Sequence, residues 1–147
     1  MNAAVTAPPL IVERVIDASL AEVWTAWTEP EFVGRWFAPG TMRAEVLDYD
    51  VRTGGRYRIR MRDNHDSTHT IGGEFLQVTP LLKLVLSWAW EGDETTKSKV
   101  TVNFEAQDGG TQINIVHENL PSEESATQHE QGWNGCLDNL RDRIGAL

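Results

Sequence analysis

From Met42 to Asn119 apolar and polar residues alternate with a period of two, in six runs separated by Thr53-Gly-Gly55, Asp63-Asn-His-Asp66, Thr79-Pro80, Glu91-Gly-Asp93 and Asp108-Gly-Gly110. A period of two belongs to half-buried strands, and links this short join antiparallel neighbours. The run Arg56 to Arg62 shows it most plainly, with Tyr57, Ile59 and Met61 on one face and four arginines on the other. Val100, Val102 and Phe104 alternate with Lys99, Thr101 and Asn103, and Ile113 and Ile115 with Gln112 and Asn114. The predicted sheet therefore has one covered face and one wet face.

The period changes on either side of this region. Leu10 to Asp17 has the Ile/Val richness of a first strand, and Ser19-Leu-Ala-Glu22 forms a capping box that opens a helix from Leu20 to about Trp27. Thr28-Glu-Pro-Glu31 reads as a second capping box, followed by Phe32, Val33, Trp36 and Phe37 at helical spacing and a stop at Pro39-Gly40. Ser122-Glu-Glu124 caps a last helix of about 24 residues, with acids in its first turn and Arg141 and Arg143 in its last. Along it Ala126, His129, Trp133, Leu137, Leu140 and Ile144 form one stripe that faces the sheet. The order of elements predicts an α+β fold: one curved seven-stranded antiparallel sheet around a long C-terminal helix, with two short helices after strand 1. Met1 to Pro9, small, uncharged and ending in Pro-Pro, is expected to be a disordered tail, leaving 10–147 as a single domain.

Composition narrows the partners. Thirteen Lys and Arg against 22 Asp and Glu give 13 − 22 = −9, a field that repels phosphate backbones and anionic lipid, so neither nucleic acid nor membrane is an expected partner. A lone Cys136 cannot close an internal disulfide, and no basic residue precedes Arg14 to start a signal peptide. Leu81 to Trp90, the most apolar stretch, is about half a bilayer span and contains Lys83. The expected location is the cytoplasm. Six tryptophans are an excess for 147 residues, and large indole rings sit in cores or on the walls of binding sites.

Several groups could carry chemistry, each with a purely structural counterpart. Trp88 and Trp90, two apart on a strand, share a face and form either an aromatic wall or core packing. His117 follows Ile113 and Ile115 in register, so its imidazole projects to the covered side, satisfied there or offered to a ligand. His129 lies one turn before Trp133, at the rim of the core or of a site. Gly132 and Gly135 each cost a helix about 1 kcal/mol, offset by room for a ligand beside Trp133 or by close packing on the sheet. His65 and His69, about 13 Å apart on a strand, cannot share one ion, and no metal or other cofactor is expected. The arginine row 56, 58, 60 and 62 reads as a solvated face. No nucleophile elbow, P-loop or dinucleotide fingerprint occurs. Glu45, Asp48 and Glu74 have no fixed facing, so no catalytic pair can be built and no enzymatic activity follows from the residues.

Val12-Glu-Arg-Val-Ile-Asp17, Glu22-Val-Trp-Thr-Ala-Trp27 and Trp36-Phe-Ala-Pro39, continued by Thr53-Gly-Gly-Arg56, Gly73-Glu-Phe-Leu76, Thr111 to His117 and His129-Glu-Gln-Gly-Trp133, resemble in order and spacing one family. It is the bacterial SRPBCC (START-like) proteins similar to the activator of the heat-shock-protein-90 ATPase. The resemblance implies a helix-grip fold with a cavity between sheet and long helix, lined by Tyr57, Trp88, Trp90, His117, His129 and Trp133 and closed at one end by Trp36 and Phe37. It implies a small hydrophobic ligand, aromatic, lipid-like or polyketide-like, bound by a monomer or homodimer. Two further readings go with it: a co-chaperone-type interaction domain with a chaperone partner and a place in the stress response, and a cofactor-free cyclase or aromatase.

Overall fold

A computed structural model of the protein describes residues 7–93 and 96–147. The chain runs β1 (Leu10–Ile16), α1 (Leu20–Thr28), α2 (Pro30–Trp36), β2 (Arg43–Tyr49), β3 (Arg56–Arg62), β4 (Thr68–Thr79), β5 (Lys83–Trp90), β6 (Ser98–Gln107), β7 (Gly110–Glu118) and α3 (Glu123–Arg143). The described strands form one antiparallel sheet in the order β1-β7-β6-β5-β4-β3-β2. From β2 to β7 consecutive strands pair with one another; β1 pairs with β7, with Leu10 opposite His117 and Ile16 opposite Thr111, and α1 and α2 carry the chain from β1 across to β2 at the opposite edge. The expected α+β helix-grip architecture is thus the one the chain adopts.

Two register shifts, after Val46 in β2 and after Phe75 in β4, insert an extra residue on one strand, and such bulges bend and twist a sheet. A close approach adds to the bend: a side chain on Gly73 would overlap the Ser87 carbonyl oxygen. The concave face carries the fully buried Ile71, Phe75, Leu84, Val100, Val102, Ile113 and Ile115, and α3 meets it with Leu137 and Leu140. One flank of α3 is tied to β1, where the Arg14 guanidinium donates to Asp138 (2.7 Å) and Asn134 (3.2 Å). The other is tied to α2, where Arg143 donates to the Arg35 carbonyl (2.7 Å).

The first helix opens on the capping box at Ser19 and Glu22. The second box is not made. Thr28 ends α1 and donates its hydroxyl back to the Trp24 carbonyl, while Glu29 caps α2 without a side-chain bond. With Pro30 at the first turn of α2 the cap falls on Glu29, one residue later than the box requires. The expected 24-residue terminal helix divides into 21 α-helical residues and a 3-10 turn, Ile144–Ala146. On the convex face Arg58 donates to Glu91 and Arg60 to Glu45, and Asp48 lies 3.7 Å from Arg58. Arg56 stands opposite Glu74. The three strand carboxylates therefore accompany the arginine row on the wet side. Residues 1–6 of the expected tail lie outside the described residues; at its other end Ala7 is buried and its N–H donates to the Leu120 carbonyl. No helix among the described residues is long and apolar enough to cross a membrane.

Candidate functional site

Between the concave face and α3 lies a cavity of about 250 Å³. Met61 (β3), His69 (β4), and Trp88 and Trp90 (β5) form its sheet wall; Gln128, His129, Gly132, Trp133 and Cys136 its helix wall; Phe37, Pro39 and Met42, in the link from α2 to β2, its lip. Larger recesses of about 1540 and 560 Å³ exist. The first is a groove lined by charged side chains such as Asp48, Arg56, Arg58, Glu74 and Lys97. Of these three, the smaller cavity is the one with predominantly apolar, aromatic walls and a few polar atoms, the character of a small-molecule site.

Trp88 is the hub of an aromatic cluster, with ring centroids 5.1 Å from Trp133, 6.1 Å from Phe37, 6.3 Å from Trp90, 5.4 Å from His117 and 6.3 Å from His129. Tilted and edge-on geometries predominate, as ring quadrupoles prefer. Behind it runs a chain of hydrogen bonds. Trp133 Nε1–H donates to His117 Nδ1 (3.1 Å), which leaves His117 Nε2 to carry the proton and donate to Ser98 Oγ (2.8 Å); Ser98 Oγ–H then donates to the Trp88 carbonyl (3.3 Å). Burial holds the His117 pKa down to about 3, and the neighbouring His129, 4.9 Å away ring to ring, pushes in the same direction. A proton on Nδ1 would also face the indole N–H donor. His117 is therefore a neutral bridge between the Trp133 and Trp88 walls.

His129 differs. Its Nδ1–H donates to the Ser125 carbonyl one turn earlier (2.8 Å), fixing the tautomer, so Nε2 is left as an acceptor. Burial also lowers its pKa. His129 Nε2 and Trp88 Nε1 are buried without a hydrogen-bond partner; Trp27 Nε1, in the core beyond the cavity walls, is the third such atom among the described residues. The Cys136 thiol is pushed up to about 12 by burial and acts as apolar wall, not as a thiolate.

Of the eight residues marked in the sequence, Phe37, Trp88, Trp90, His129 and Trp133 meet at the cavity. Three do not line it. Trp36 is buried between α1 and α2, donating to the Ala26 carbonyl (2.9 Å). Tyr57 plugs the sheet beside Phe75, its hydroxyl donating to the Ser87 carbonyl (2.7 Å). His117 stands one layer behind. Met61, on the predicted covered face, and its cross-strand partner His69 take the place expected of Tyr57. Pro39, Met42 and Gln128 carried no signal, because a link and a helix rim follow no period.

The two helix glycines separate. A Cβ on Gly132 meets nothing within 4 Å, whereas one on Gly135 would lie 2.8 Å from Pro39 Cβ and 3.1 Å from Pro39 Cα. One glycine opens the cavity and the other admits the lip. Gly132→Ala is expected to raise stability by about 1 kcal/mol from helix propensity alone, and Gly135→Ala to lower it by up to about 2 kcal/mol, an overpacking cost of about 1–3 kcal/mol less the same helix gain. Urea unfolding of the two variants checks the opposite signs.

An antiparallel sheet curled around one C-terminal helix, with a recess between them, defines a helix-grip protein of the SRPBCC class. The family model described as Activator of Hsp90 ATPase homolog 1-like protein matches residues 17–145, and the chain belongs to that family. No curated protein matches the sequence. Solved structures do. Protein CV1439 from Chromobacterium violaceum is 22% identical, with a TM-score of 0.86 over 92% of this chain and 96% of that one. The AHSA1 protein from Silicibacter pomeroyi is 19% identical, TM-score 0.85, over 95% and 99%. DynU16, described as a protein of the dynemicin biosynthetic locus, is 21% identical, TM-score 0.76, over 93% of this chain and 47% of the longer DynU16 chain. At these identities the likeness is one of fold.

Proposed function

We propose that the protein binds a small aromatic molecule in the cavity between β3, β5 and α3. The observation that carries this reading is the pairing of an aromatic wall with Gly132, whose missing side chain keeps the helix side open at a cost in helix stability. A cavity of about 150 Å³ holds benzene, so 250 Å³ suits a two-ring compound that stacks on Trp88, Trp90 or Trp133. The origin of DynU16 in the dynemicin biosynthetic locus agrees with a small-molecule ligand. A chaperone-docking reading calls for a broad exposed apolar patch; the exposed large apolar residues lie apart, Ile11 and Val15 on the edge strand β1 and Leu76, Leu81 and Leu82 around the β4–β5 turn.

The test is quenching of tryptophan emission by 1-nitronaphthalene, a non-fluorescent two-ring aromatic. The expected result is saturable quenching that Gly132→Phe abolishes without loss of folding, since its ring fills the open space. Equal quenching of both proteins, or none in the parent, would contradict the reading.

A further inference from the structure

The cavity has a direction. Along α3 its wall runs from the exposed Gln128 through the half-buried Gly132 to the buried Cys136, a span of about 12 Å on a helix. On the sheet side His69 is exposed, Trp90 half-buried and Trp88 buried. Trp90 adjoins His69 and His129 at centroid distances of 6.3 and 6.2 Å, so these rings frame the mouth. At the other end Phe37, the buried residue of the lip, packs 6.1 Å from Trp88 and 5.9 Å from Trp133, and those two indoles lie 5.1 Å apart. With Cys136 they close the inner end.

That inner end offers a ligand almost no hydrogen bond. The Trp133 indole N–H is given to His117, Trp88 Nε1 is covered by its neighbours, and the Phe37 side chain has no polar atom. The Cys136 thiol, held neutral by burial, is a weak donor. Strands and helix spend their backbone N–H and C=O groups on their own ladders, and the lip carbonyls of Ala38 and Pro39 accept from the Asn139 amide and the Met42 N–H. At the mouth the Gln128 amide and the His69 imidazole stand in water.

From this we infer that the ligand is a one-ended arene: fused rings whose hydrogen-bonding groups all stand at one end, kept in water at the mouth, while the bare C–H end meets Phe37, Trp88, Trp133 and Cys136. The inference rests on the aromatic-ligand reading above and adds where on the rings the polar groups stand. A hydroxyl at the far end would lose its water and gain no partner of comparable strength. Burying a polar group in that way costs enough for a discrimination of at least about tenfold.

Two isomers of one composition test this: 2,3-dihydroxynaphthalene carries both hydroxyls at one end, and 2,6-dihydroxynaphthalene carries one at each. Equilibrium dialysis of the full chain at about pH 7, where phenols are un-ionised, is run with both and with 2-naphthol. The expected result is binding of the 2,3-isomer at least about tenfold tighter than of the 2,6-isomer, with the preference absent in Gly132→Phe. A second readout needs no variant: nuclear Overhauser contacts should join the Phe37 ring to the protons on carbons 6 and 7 of the bound 2,3-isomer, the end away from its hydroxyls. Parity of the two isomers while 2-naphthol binds overturns the one-ended assignment and leaves the aromatic cavity standing. A preference that persists in Gly132→Phe, or contacts from Phe37 to the hydroxyl-bearing end, also overturns it. No binding of any of the three removes the aromatic-ligand reading itself.

Discussion

Trp133→Ala is expected to lower the stability of the protein by about 3–5 kcal/mol, the range for deleting a buried tryptophan. The ring is 4% exposed and packs against Trp27, Phe37 and Trp88 at centroid distances of 6.4, 5.9 and 5.1 Å. It is also the donor to His117 Nδ1, which the truncation would leave as a buried acceptor. Trp133→Phe separates these contributions, keeping much of the ring contact and losing the hydrogen bond for about 1–3 kcal/mol. Urea unfolding of both variants measures the difference. A loss below about 1 kcal/mol for Trp133→Ala would mean that the helix stripe is held to the sheet by other residues.

Acidification is expected to have the second large effect. The folded state holds the His117 pKa down to about 3, whereas an imidazole in the unfolded chain titrates near about 6.5. Below about pH 6.5 the unfolded chain therefore takes up the proton first, and stability is lost by about 1.4 kcal/mol per pH unit until the folded pKa is reached. Between pH 6.5 and 5 the loss is about 2 kcal/mol, with the full contribution present above pH 6.5. His129, also lowered by burial, acts with the same sign. Carboxylates held low by hydrogen bonds, Asp63 and Glu91, begin to act only at lower pH. Urea midpoints at about pH 7 and about pH 5 should show this slope in the parent and a shallower one in His117→Gln. Identical slopes would show that His117 is not the group that titrates.

The fold was legible because each of its elements carries a local signal. The alternation in Arg56–Arg62 told which side of β3 is covered, the stripe from Ala126 to Ile144 told which side of α3 meets it, and the pairing of β3 and α3 across the sheet follows once both need cover. The site was legible only in part, because a period gives the face of a residue and not its position along the cavity. Tyr57 and Met61 share a face, yet the cavity opens at Met61 while Tyr57 is spent on the Ser87 carbonyl. His117 points inward as its register predicts, but whether an inward imidazole is satisfied depends on Trp133 and Ser98, which lie far from it in sequence. Gly132 and Gly135 are alike in the sequence; Pro39, brought against one of them by the α2–β2 link, makes the difference.

The central claim, that the aromatic wall of β5 and α3 is a ligand site and not a sealed core, is tested most directly by the indole N–H resonances of nitrogen-15-labelled protein during titration with 2-naphthol. The account predicts progressive shifts of the Trp88, Trp90 and Trp133 signals, with the Trp36 signal, held by the Ala26 carbonyl, unmoved and all shifts absent in Gly132→Phe. Unmoved Trp88, Trp90 and Trp133 signals at saturating naphthol, or the same shifts in Gly132→Phe, would contradict it.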